Sequence, residues 1–509
     1  MLLGIDFGTT RTVVTAVNRG NYPTVSFNNE AGDTYEWYPS VIATKGSELA
    51  FGFEAVAKQS QPGWTVRRSL KRELATLGPD SRLKIGDHEM SVFEWLTSFF
   101  EQLNYDLRNN SNLRLKKKDK LVAMISVPAN ANSNQRFITL EAFRRAGFEV
   151  RGMMNEPSAA GIEYAHHILG EGGTSKREYL LIYDLGGGTF DSAVISLTDR
   201  SHEVLSNEGI MKLGGDNFDV VLLDMALQQA DIHTVTETQL SSLLEECREK
   251  KEGLSPKTRK MVIDLGRGIE GAGEVIIQTA NFYAECKPLI DSTVTAMEQA
   301  MRKSFAVAGI DWKALAAVYL VGGSSDFPPV SRLLREKYPR QVKRSPYPHA
   351  AVAIGLAVAA DSEAGHQLRE RFTRHFGVWR EFDSGNQIAF DTLFEKNTLL
   401  PVNGEEKLTL KRRYIPAHNI GHFRYLECGG LDAGLQPQGD ITTWDEVYFP
   451  FDPALHNEEN LAQVAVARNN SSHILIEETY SCDANGIIAV EINDLTNNFS
   501  RLFRLRSPR

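Results

Sequence analysis

The sequence has few cysteines and no long apolar run, and each shortage excludes a class of protein. Its four cysteines, Cys247, Cys286, Cys428 and Cys482, lie far apart and include no C-x-x-C pair, so neither a zinc knuckle nor a redox dithiol is predicted. No stretch reaches 18 consecutive apolar residues, and Asp6 interrupts the apolar N-terminus too early for a signal peptide. We therefore expect a cytoplasmic protein that does not enter a membrane.

An excess of positive charge is also lacking. The chain has 56 Lys and Arg against 65 Asp and Glu, a formal net charge of -9, whereas non-specific nucleic-acid binding depends on clustered Lys and Arg. The short basic run at Lys116–Lys118 is followed by Asp119 and is typical of an exposed turn. We expect no nucleic-acid partner.

The first 360 or so residues have the pattern of an α/β protein. The chain has 509 residues, of which 42% are apolar, enough for about three compact units at roughly 150 residues each. From Met1 to about Asp361, apolar strand-like runs alternate with helical patterns, and several of the runs end in Gly-rich turns. That alternation is typical of sheets covered by helices. We place this domain at residues 1–362.

The character of the sequence changes after about Gly365. Residues 363–375 are dense in charge, and beyond them short alternating segments are separated by Asn-Gly, Gly-Gly and Pro. These features predict a charged linker at 363–375 and a mainly antiparallel β domain at 376–509. Within that domain we predict hairpin turns at Asn403-Gly404 and Asn485-Gly486.

A weak internal repeat indicates a phosphate-binding cleft. The segments Leu3–Thr10 and Leu181–Thr189 share one plan, an apolar strand followed by Asp, a Gly turn and Thr. Glycines let backbone N–H groups approach phosphate oxygens, and Thr hydroxyls donate further hydrogen bonds. Because Mg²⁺ prefers one or two carboxylates together with waters and phosphates, Asp6 and Asp184 are the predicted metal ligands. A third Gly turn, Gly322-Gly323-Ser324, also follows an apolar strand. The repeat predicts two related subdomains that face one cleft.

Eight segments of the first 360 residues follow one another in a recognisable order. They are Gly4–Thr10, Tyr38–Ser40, Lys71-Arg72, Val127–Ala129, Asn155–Ala160, Asp184–Asp191, Leu213–Asp219 and Val321–Ser324. Taken in this order, they resemble the seventy-kilodalton heat-shock (DnaK) chaperone family. Two further segments, Phe394–Thr398 and Cys482–Ile487, resemble the start and end of that family's β-sandwich domain, while the region between them matches poorly.

The resemblance implies a fold, an activity and partners. The implied fold is an α/β actin-like ATPase domain, built of duplicated ribonuclease-H-like subdomains, followed by an antiparallel β-sandwich domain that binds substrate. The implied activity is that of a chaperone that hydrolyses ATP, with ATP or ADP and Mg²⁺ as cofactors. The implied partners are unfolded or extended polypeptides, with co-chaperones as further partners.

The resemblance also assigns site residues. The implied catalytic residues are Lys71, Glu156, Asp184 and Thr189, with Asp6 and Asp184 at the metal. Taken from the sequence alone, Lys71 would lie on a solvated basic face and Glu156 would simply start a helix. The implied nucleotide-binding residues are Gly8, Thr9, Thr10, Gly186, Gly187, Gly188, Gly214, Gly215, Lys251, Ser255, Gly322, Gly323 and Ser324.

The chain departs from the family's pattern at the two positions that contact the adenine base of the nucleotide. The family clamps adenine between two basic side chains, whereas Glu252 and Asp326 stand at those positions here. We therefore expect cation–π stacking from those two positions to be lost, at a cost of about 0.5–2 kcal/mol for each contact, and we expect weak preference for one purine.

Two further departures concern the linker and the C-terminal end. The linker segment Gln367–Arg374 lacks the family's run of leucines, so we expect weak coupling between the two domains. Only 23 residues follow Gly486, and they have the pattern of a strand and a tail, so we expect no helical lid.

Two other functions stay open on the sequence. A small-molecule kinase of the wider actin-like superfamily would also carry duplicated Asp-Gly-Thr turns. A nucleotide-regulated interaction protein, with weak or no ATPase coupling, would use the β domain for docking. Both alternatives rest on analogy at the level of the fold.

Overall fold

The structure is a computed structural model that describes residues 1–59, 61–74, 76–170, 178–198, 200–339, 341–382, 387–444, 446–468 and 473–504. The chain divides into two compact units. The first unit comprises Met1–Leu77, Ser81–Asn130 and Thr139–Leu368, and the second comprises Gly78–Asp80, Ala131–Ile138 and Arg369–Arg509. Each unit is described by itself.

The α-helices of the described residues lie before residue 361. Helix α7 shows how local sequence fixes their ends: Thr236 Oγ1 accepts from Gln239 N at 3.3 Å, and Gln239 Oε1 accepts from Thr236 N at 2.8 Å. The helices are α1 (Gly52–Lys58), α2 (Leu70–Glu73), α3 (Val92–Asn109), α4 (Ser133–Arg145), α5 (Glu156–Gly170), α6 (Gly215–Gln229), α7 (Glu237–Glu252), α8 (Thr279–Ala308), α9 (Pro328–Lys337) and α10 (Ala351–Ala360).

Two larger sheets in the first unit repeat one plan. In each, a central strand forms a hairpin with the strand that follows it and pairs in parallel with a strand much later in the chain. Across the first sheet the strands are Glu149–Asn155, Val122–Val127, Leu2–Phe7, Arg11–Ala16 and Tyr38–Pro39. Across the second they are Val342–Arg344, Leu315–Val321, Glu178–Leu185, Phe190–Thr198, Ser201–Ile210 and Gln367–Arg369. The weak repeat in the sequence thus corresponds to two copies of a strand–turn–strand hairpin.

The second sheet is covered on both faces, which explains its apolar strands. Leu181 and Tyr183 enter one core together with residues of α6 and α8, and Leu180 and Ile182 enter another with residues of α5 and α10. A strand buried on both faces needs apolar side chains at successive positions rather than at alternate ones. The mixed α/β character predicted for this part of the chain is confirmed.

Short strands complete the first unit. They form a three-stranded sheet and three two-stranded ribbons around the two larger sheets. Their bounds are Glu48–Phe51, Val41–Lys45 and Thr65–Arg68 in the three-stranded sheet, and Arg82–Ile85 with His88–Ser91, Lys260–Asp264 with Glu274–Gln278, and Phe27–Asn28 with Thr34–Tyr35 in the ribbons.

The second unit is rich in antiparallel strands, as the sequence predicted. Residues from its two four-stranded sheets share one core, which includes Phe376, Tyr425, Tyr480 and Val490. Across one sheet the strands are Gln387–Phe394, His375–Phe382, Tyr425–Leu431 and Pro437–Thr443, and across the other they are Leu408–Tyr414, Ile476–Cys482, Ile488–Asp494 and Phe499–Arg504; Ile420–Phe423 pairs with Val447–Pro450.

One of the two predicted hairpins is present. The turn before Gly486 joins the paired strands Ile476–Cys482 and Ile488–Asp494, and Gly486 has a φ of 74°, a conformation that glycine adopts without strain. The hairpin predicted at Asn403-Gly404 is wrong, because the strands on either side of it belong to different sheets. An Asn-Gly turn reverses the direction of the chain, but it does not determine that the two strands beside it pair with each other.

A charged cluster lies inside the second unit. Glu478 is fully buried, accepts from Arg380 Nη1 at 3.0 Å and from Tyr414 Oη at 2.6 Å, and also accepts from the hydroxyl of Tyr480. Arg380 Nε donates to Asp391 at 2.7 Å. Because Arg380 and Glu478 lie on strands of different sheets, the pair links the two layers.

Candidate functional site

A cleft of about 450 Å³ lies in the first unit, where the ends of the central strands meet. Its walls come from the turns after Leu2–Phe7, Glu178–Leu185 and Leu315–Val321, and from the ends of helices α6 and α7. Carboxyl ends of strands and helix N-termini present backbone N–H groups and short loops, which suit anions. The duplicated fold therefore builds one concave site from both of its copies.

The two Gly-Thr turns face each other across this cleft. A Cβ added to Gly187 would lie 2.2 Å from Thr10 Oγ1, and one added to Gly188 would lie 2.6 Å from Thr9 Oγ1. Glycine at these positions therefore allows the two turns to approach closely. The structure brings together Gly8, Thr9, Thr10, Gly186, Gly187 and Thr189 as lining residues.

The segment Gly214-Gly215 continues this wall. Gly215 N donates to Gly186 O at 3.0 Å, and Asp216 N donates to Gly187 O at 2.8 Å. Lys251 Nζ donates to Gly215 O at 2.7 Å and pairs with the buried carboxylate of Asp219 at 2.6 Å. Lys251 thus fixes the N-terminus of α6 from the last turn of α7.

The third turn closes the cleft from another side. Gly322, Gly323 and Ser324 all line the cleft. Gly322 has a φ of 81°, and a Cβ there would lie 2.4 Å from Asp184 Oδ1, so the turn passes directly over that carboxylate.

Two carboxylates lie at the floor of the cleft, with Asp184 buried and Asp6 partly buried. Asp6 and Asp184 both line it, and Asp6 Oδ1 accepts from Ser126 Oγ at 2.6 Å. Burial raises the pKa of Asp184 well above its ordinary value, and the negative charges of Glu156, Asp191 and Asp6 raise it further. Burial also raises the pKa of Asp6. Carboxylates that repel one another in a buried site are stabilised by a cation.

The donor set fits Mg²⁺ held partly through water and phosphate. In the described part of the chain, no three His, Cys, Asp or Glu side chains are grouped as direct ligands of one metal ion. Mg²⁺ commonly retains several waters and uses one or two carboxylates. Asp6 and Asp184 are the residues of this cleft that would hold it.

Lys71 and Glu156 form a buried ion pair beside these carboxylates. Lys71 Nζ donates to Glu156 Oε1, and the side chains are 5% and 9% exposed. Burial lowers the pKa of Lys71, but the negative charges of Glu156 and Asp6 outweigh burial and raise it. Lys71 is therefore held as an ammonium ion at the floor of the cleft, rather than on a solvated face, even though burial raises the pKa of its partner Glu156 to about 8 against the opposing charge of Lys71.

Three predicted nucleotide-binding residues do not line the cleft. Gly188 and Gly214 are not among the residues that line it, and a Cβ on Gly214 would meet the backbone of Gly187 at 2.6 Å. Ser255 is exposed and its hydroxyl lies 3.0 Å from Thr258 Oγ1, while Leu254 lines the wall at that point. The segment after α7 presents an apolar side chain to the cleft instead of the predicted hydroxyl.

Both acidic residues at the predicted base-clamp positions are paired with arginine. Arg11 Nη2 donates to Glu252 Oε2 at 2.6 Å, and Arg344 donates to Asp326. Arg11 also lies over the ring of Trp37, with its guanidinium carbon 4.7 Å from the ring centroid. These pairs counter the negative charge that Glu252 and Asp326 place on the cleft.

Sequence reasoning missed Arg11, Trp37 and Arg248 as lining residues. Arg248 contacts Asp216 at 3.4 Å and Glu245 at 3.0 Å. The sequence could have indicated the place of Arg11 in the cleft, since Arg11 directly follows Thr10 of the first Gly-Thr turn. Trp37 carried no such signal, because its place in the cleft depends on the pairing of Arg11 with Pro39 in the neighbouring strand.

Comparison with protein families identifies a related family. The family model described as Hsp70 protein matches residues 104–373, which is more than half of the chain. The matched range contains Glu156, the second Gly-Thr turn and the Gly322–Ser324 turn. Separately, none of the helices that the structure describes is long and apolar enough to cross a membrane.

Proposed function

The chain belongs to the Hsp70 family, and from that premise we propose that its first unit binds and hydrolyses ATP while its second unit binds extended polypeptide. The observation that carries the first half is the buried Lys71–Glu156 pair, which lies with Asp6 and Asp184 among the lining residues of the cleft that the two Gly-Thr turns build. Phosphoryl transfer needs positioning and charge neutralisation more than it needs a strong nucleophile.

Each residue of the cleft has a role in this proposal. The Gly-Thr turns bind the phosphates through N–H and hydroxyl groups, and Thr189 holds the terminal phosphate. Lys71 neutralises charge that develops on the transferred phosphoryl group and orients the attacking water. Glu156 fixes Lys71 and accepts a hydrogen bond from that water. Mg²⁺, held through Asp6 and Asp184, would supply further neutralisation of phosphate charge.

The second unit has features that suit an extended chain. Strands Gln387–Phe394 and Pro437–Thr443 form the two edges of one sheet, and they carry exposed apolar side chains, Ile388 at 59% and Ile441 at 48%. An extended polypeptide is bound by main-chain hydrogen bonds together with apolar contacts for alternate side chains. After Gly486, the described residues form the strands Ile488–Asp494 and Phe499–Arg504. We propose unfolded polypeptides as clients, with co-chaperones as further partners.

The test is steady-state ATP hydrolysis by the purified protein, with Mg²⁺ and with EDTA, alongside calorimetric ATP binding. We expect slow hydrolysis that requires Mg²⁺. Tight ATP binding without hydrolysis would instead support a nucleotide-regulated interaction protein, for which the acidic residues Glu252 and Asp326 are the favouring observation. Absence of ATP binding would contradict both functions.

A further inference from the structure

Arg11 bridges the two sides of the cleft at its rim. It comes from the first copy of the duplicated fold and donates to Glu252, the last residue of α7 in the second copy, at 2.6 Å. Its guanidinium lies over the indole ring of Trp37. All three residues line the cleft.

The position of Trp37 is fixed by its aromatic neighbours. Its ring contacts Tyr35 edge-on at a centroid distance of 5.2 Å and lies 6.0 Å from the ring of Phe53. The guanidinium carbon of Arg11 lies over this indole, 4.7 Å from the ring centroid, and the Arg11 side chain keeps 29% of its surface exposed. A planar cation supported in this way presents its other face for stacking.

The basic residues deeper in the cleft are engaged with protein groups. Lys71 is paired with Glu156, and Lys251 is paired with Asp219. Arg11 differs because it lies at the exposed rim, on an aromatic ring. The phosphate-binding turns and the carboxylates occupy the floor, which leaves the rim for the remaining part of a nucleotide.

We propose that Arg11, supported by Trp37 and held by Glu252, is the residue on which the base of a bound purine nucleotide stacks. This inference rests on the proposed nucleotide-binding function and assigns a specificity determinant within it. Stacking on a guanidinium depends on the area and electron density of the base, and it does not read the exocyclic groups that distinguish adenine from guanine. The cleft is therefore selective for purines over pyrimidines and nearly indifferent between ATP and GTP.

The test measures dissociation constants for ATP, GTP, CTP and inorganic tripolyphosphate with Mg²⁺, using the full-length protein. We expect ATP and GTP to agree within about tenfold and both to bind more tightly than CTP. Arg11→Ala should weaken ATP and GTP binding by about tenfold and change CTP and tripolyphosphate binding by less than twofold. Arg145→Ala is the matched control, because Arg145 lies over the ring of Phe93 at 4.6 Å and neither residue lines the cleft.

Two more variants separate stacking from other roles of Arg11. Arg11→Lys keeps the charge but removes the planar group, so purine preference should fall as it does in Arg11→Ala. Glu252→Gln removes the ion pair but keeps the cation on the indole, so purine preference should persist.

Several results would overturn the proposal. If Arg11→Ala weakens ATP, CTP and tripolyphosphate equally and Arg11→Lys restores them, Arg11 binds phosphate. If Glu252→Gln loses purine preference as fully as Arg11→Ala does, then the ion pair, and not stacking, determines the preference for purine nucleotides. Equal binding of ATP and CTP by the parent protein overturns this inference alone, whereas failure to bind any nucleoside triphosphate also overturns the proposed function.

Discussion

The ammonium of Lys71 donates to the carboxylate of Glu156, and both side chains are buried in the first unit. A buried pair of this kind costs desolvation of both ions and is weak support for stability. Its position at the floor of the cleft is instead the basis of the catalytic role that we propose for it. The pair sets the charge and direction of Lys71 before any ligand arrives.

Lys71→Ala should reduce ATP turnover by about 100-fold or more while ATP affinity changes little, because Lys71 acts mainly on charge that develops in the transition state. Turnover and calorimetric binding measured on the same preparation check this. The control is Lys303→Ala, which removes a pair with Glu208 elsewhere in the first unit. Hydrolysis by Lys71→Ala at the parental rate would show that the role of Lys71 is assigned wrongly.

The pair of His202 and His366 should make the protein sensitive to acid. Their ring nitrogens lie 2.9 Å apart, and burial lowers the pKa of each to about 4 from an ordinary 6.5. Between those values the unfolded chain binds more protons than the folded one, so stability decreases as pH falls from 6.5 toward 4. Each histidine contributes about 2 kcal/mol over this range, so we expect a loss of at most about 4 kcal/mol between pH 7 and pH 5.

Urea unfolding of the intact protein at the two pH values measures this loss. Arg200 and His166 are further positive or titrating groups beside the pair. The double variant His202→Asn with His366→Gln should therefore lose less stability on acidification than the parent protein. His233→Gln, at an exposed histidine, should behave as the parent does. An unchanged pH dependence in the double variant would exclude this pair as the cause.

Glu478→Gln should destabilise the second unit by about 1.5–3 kcal/mol, because the buried Arg380 then loses one of its two carboxylate partners and keeps only Asp391. Denaturant unfolding followed by a probe in the second unit measures the change. Glu491→Gln, at an exposed position on the neighbouring strand, is the matched control and should change stability by less than about 0.5 kcal/mol. Equal effects of the two changes would mean that the charged cluster does not stabilise this unit.

Peptide affinity should shift by less than about fivefold between the ATP and ADP states, or about 1 kcal/mol. The segment predicted as a linker has a single buried leucine, Leu368, in the strand Gln367–Arg369 and no run of leucines, so it offers little apolar surface whose burial nucleotide could change. Fluorescence anisotropy of a labelled unfolded peptide with ATP, with ADP and without nucleotide measures the shift. A hundredfold change in peptide affinity between the ATP and ADP states would show that coupling between the two units does not depend on a run of leucines.

Much of the floor of the cleft could be predicted from sequence, and its rim could not. Asp6, Asp184 and the Gly-Thr turns follow apolar strands directly, so a local pattern places them at strand ends. Arg11 and Trp37 meet only because two strands pair side by side, and no local pattern specifies that register. Ser255 shows a different limit: it does not line the cleft, since a matching residue type does not fix the direction of a side chain in the turn after α7.

The second unit shows the same limit for strand pairing. Alternating apolar residues predicted its strands, and the turn at Gly486 is a hairpin as expected. The turn at Gly404 joins strands of different sheets, because side-chain packing across the whole unit decides pairing. The sequence also did not predict the buried cluster of Arg380 and Glu478, since charged residues in a strand pattern are usually exposed.

The order of strands in the two large sheets has a consequence for biosynthesis. Every strand of the first sheet lies before residue 156, whereas the second sheet requires strands as late as Gln367–Arg369. Because a chain emerges from the ribosome at about 5–20 residues per second, the first sheet has all its strands at least ten seconds before the second. Within that interval, from the emergence of Thr198 until that of Leu315–Val321, the nascent chain carries the apolar hairpin of the second copy without its parallel partner, and its open strand edge is then available for wrong pairing.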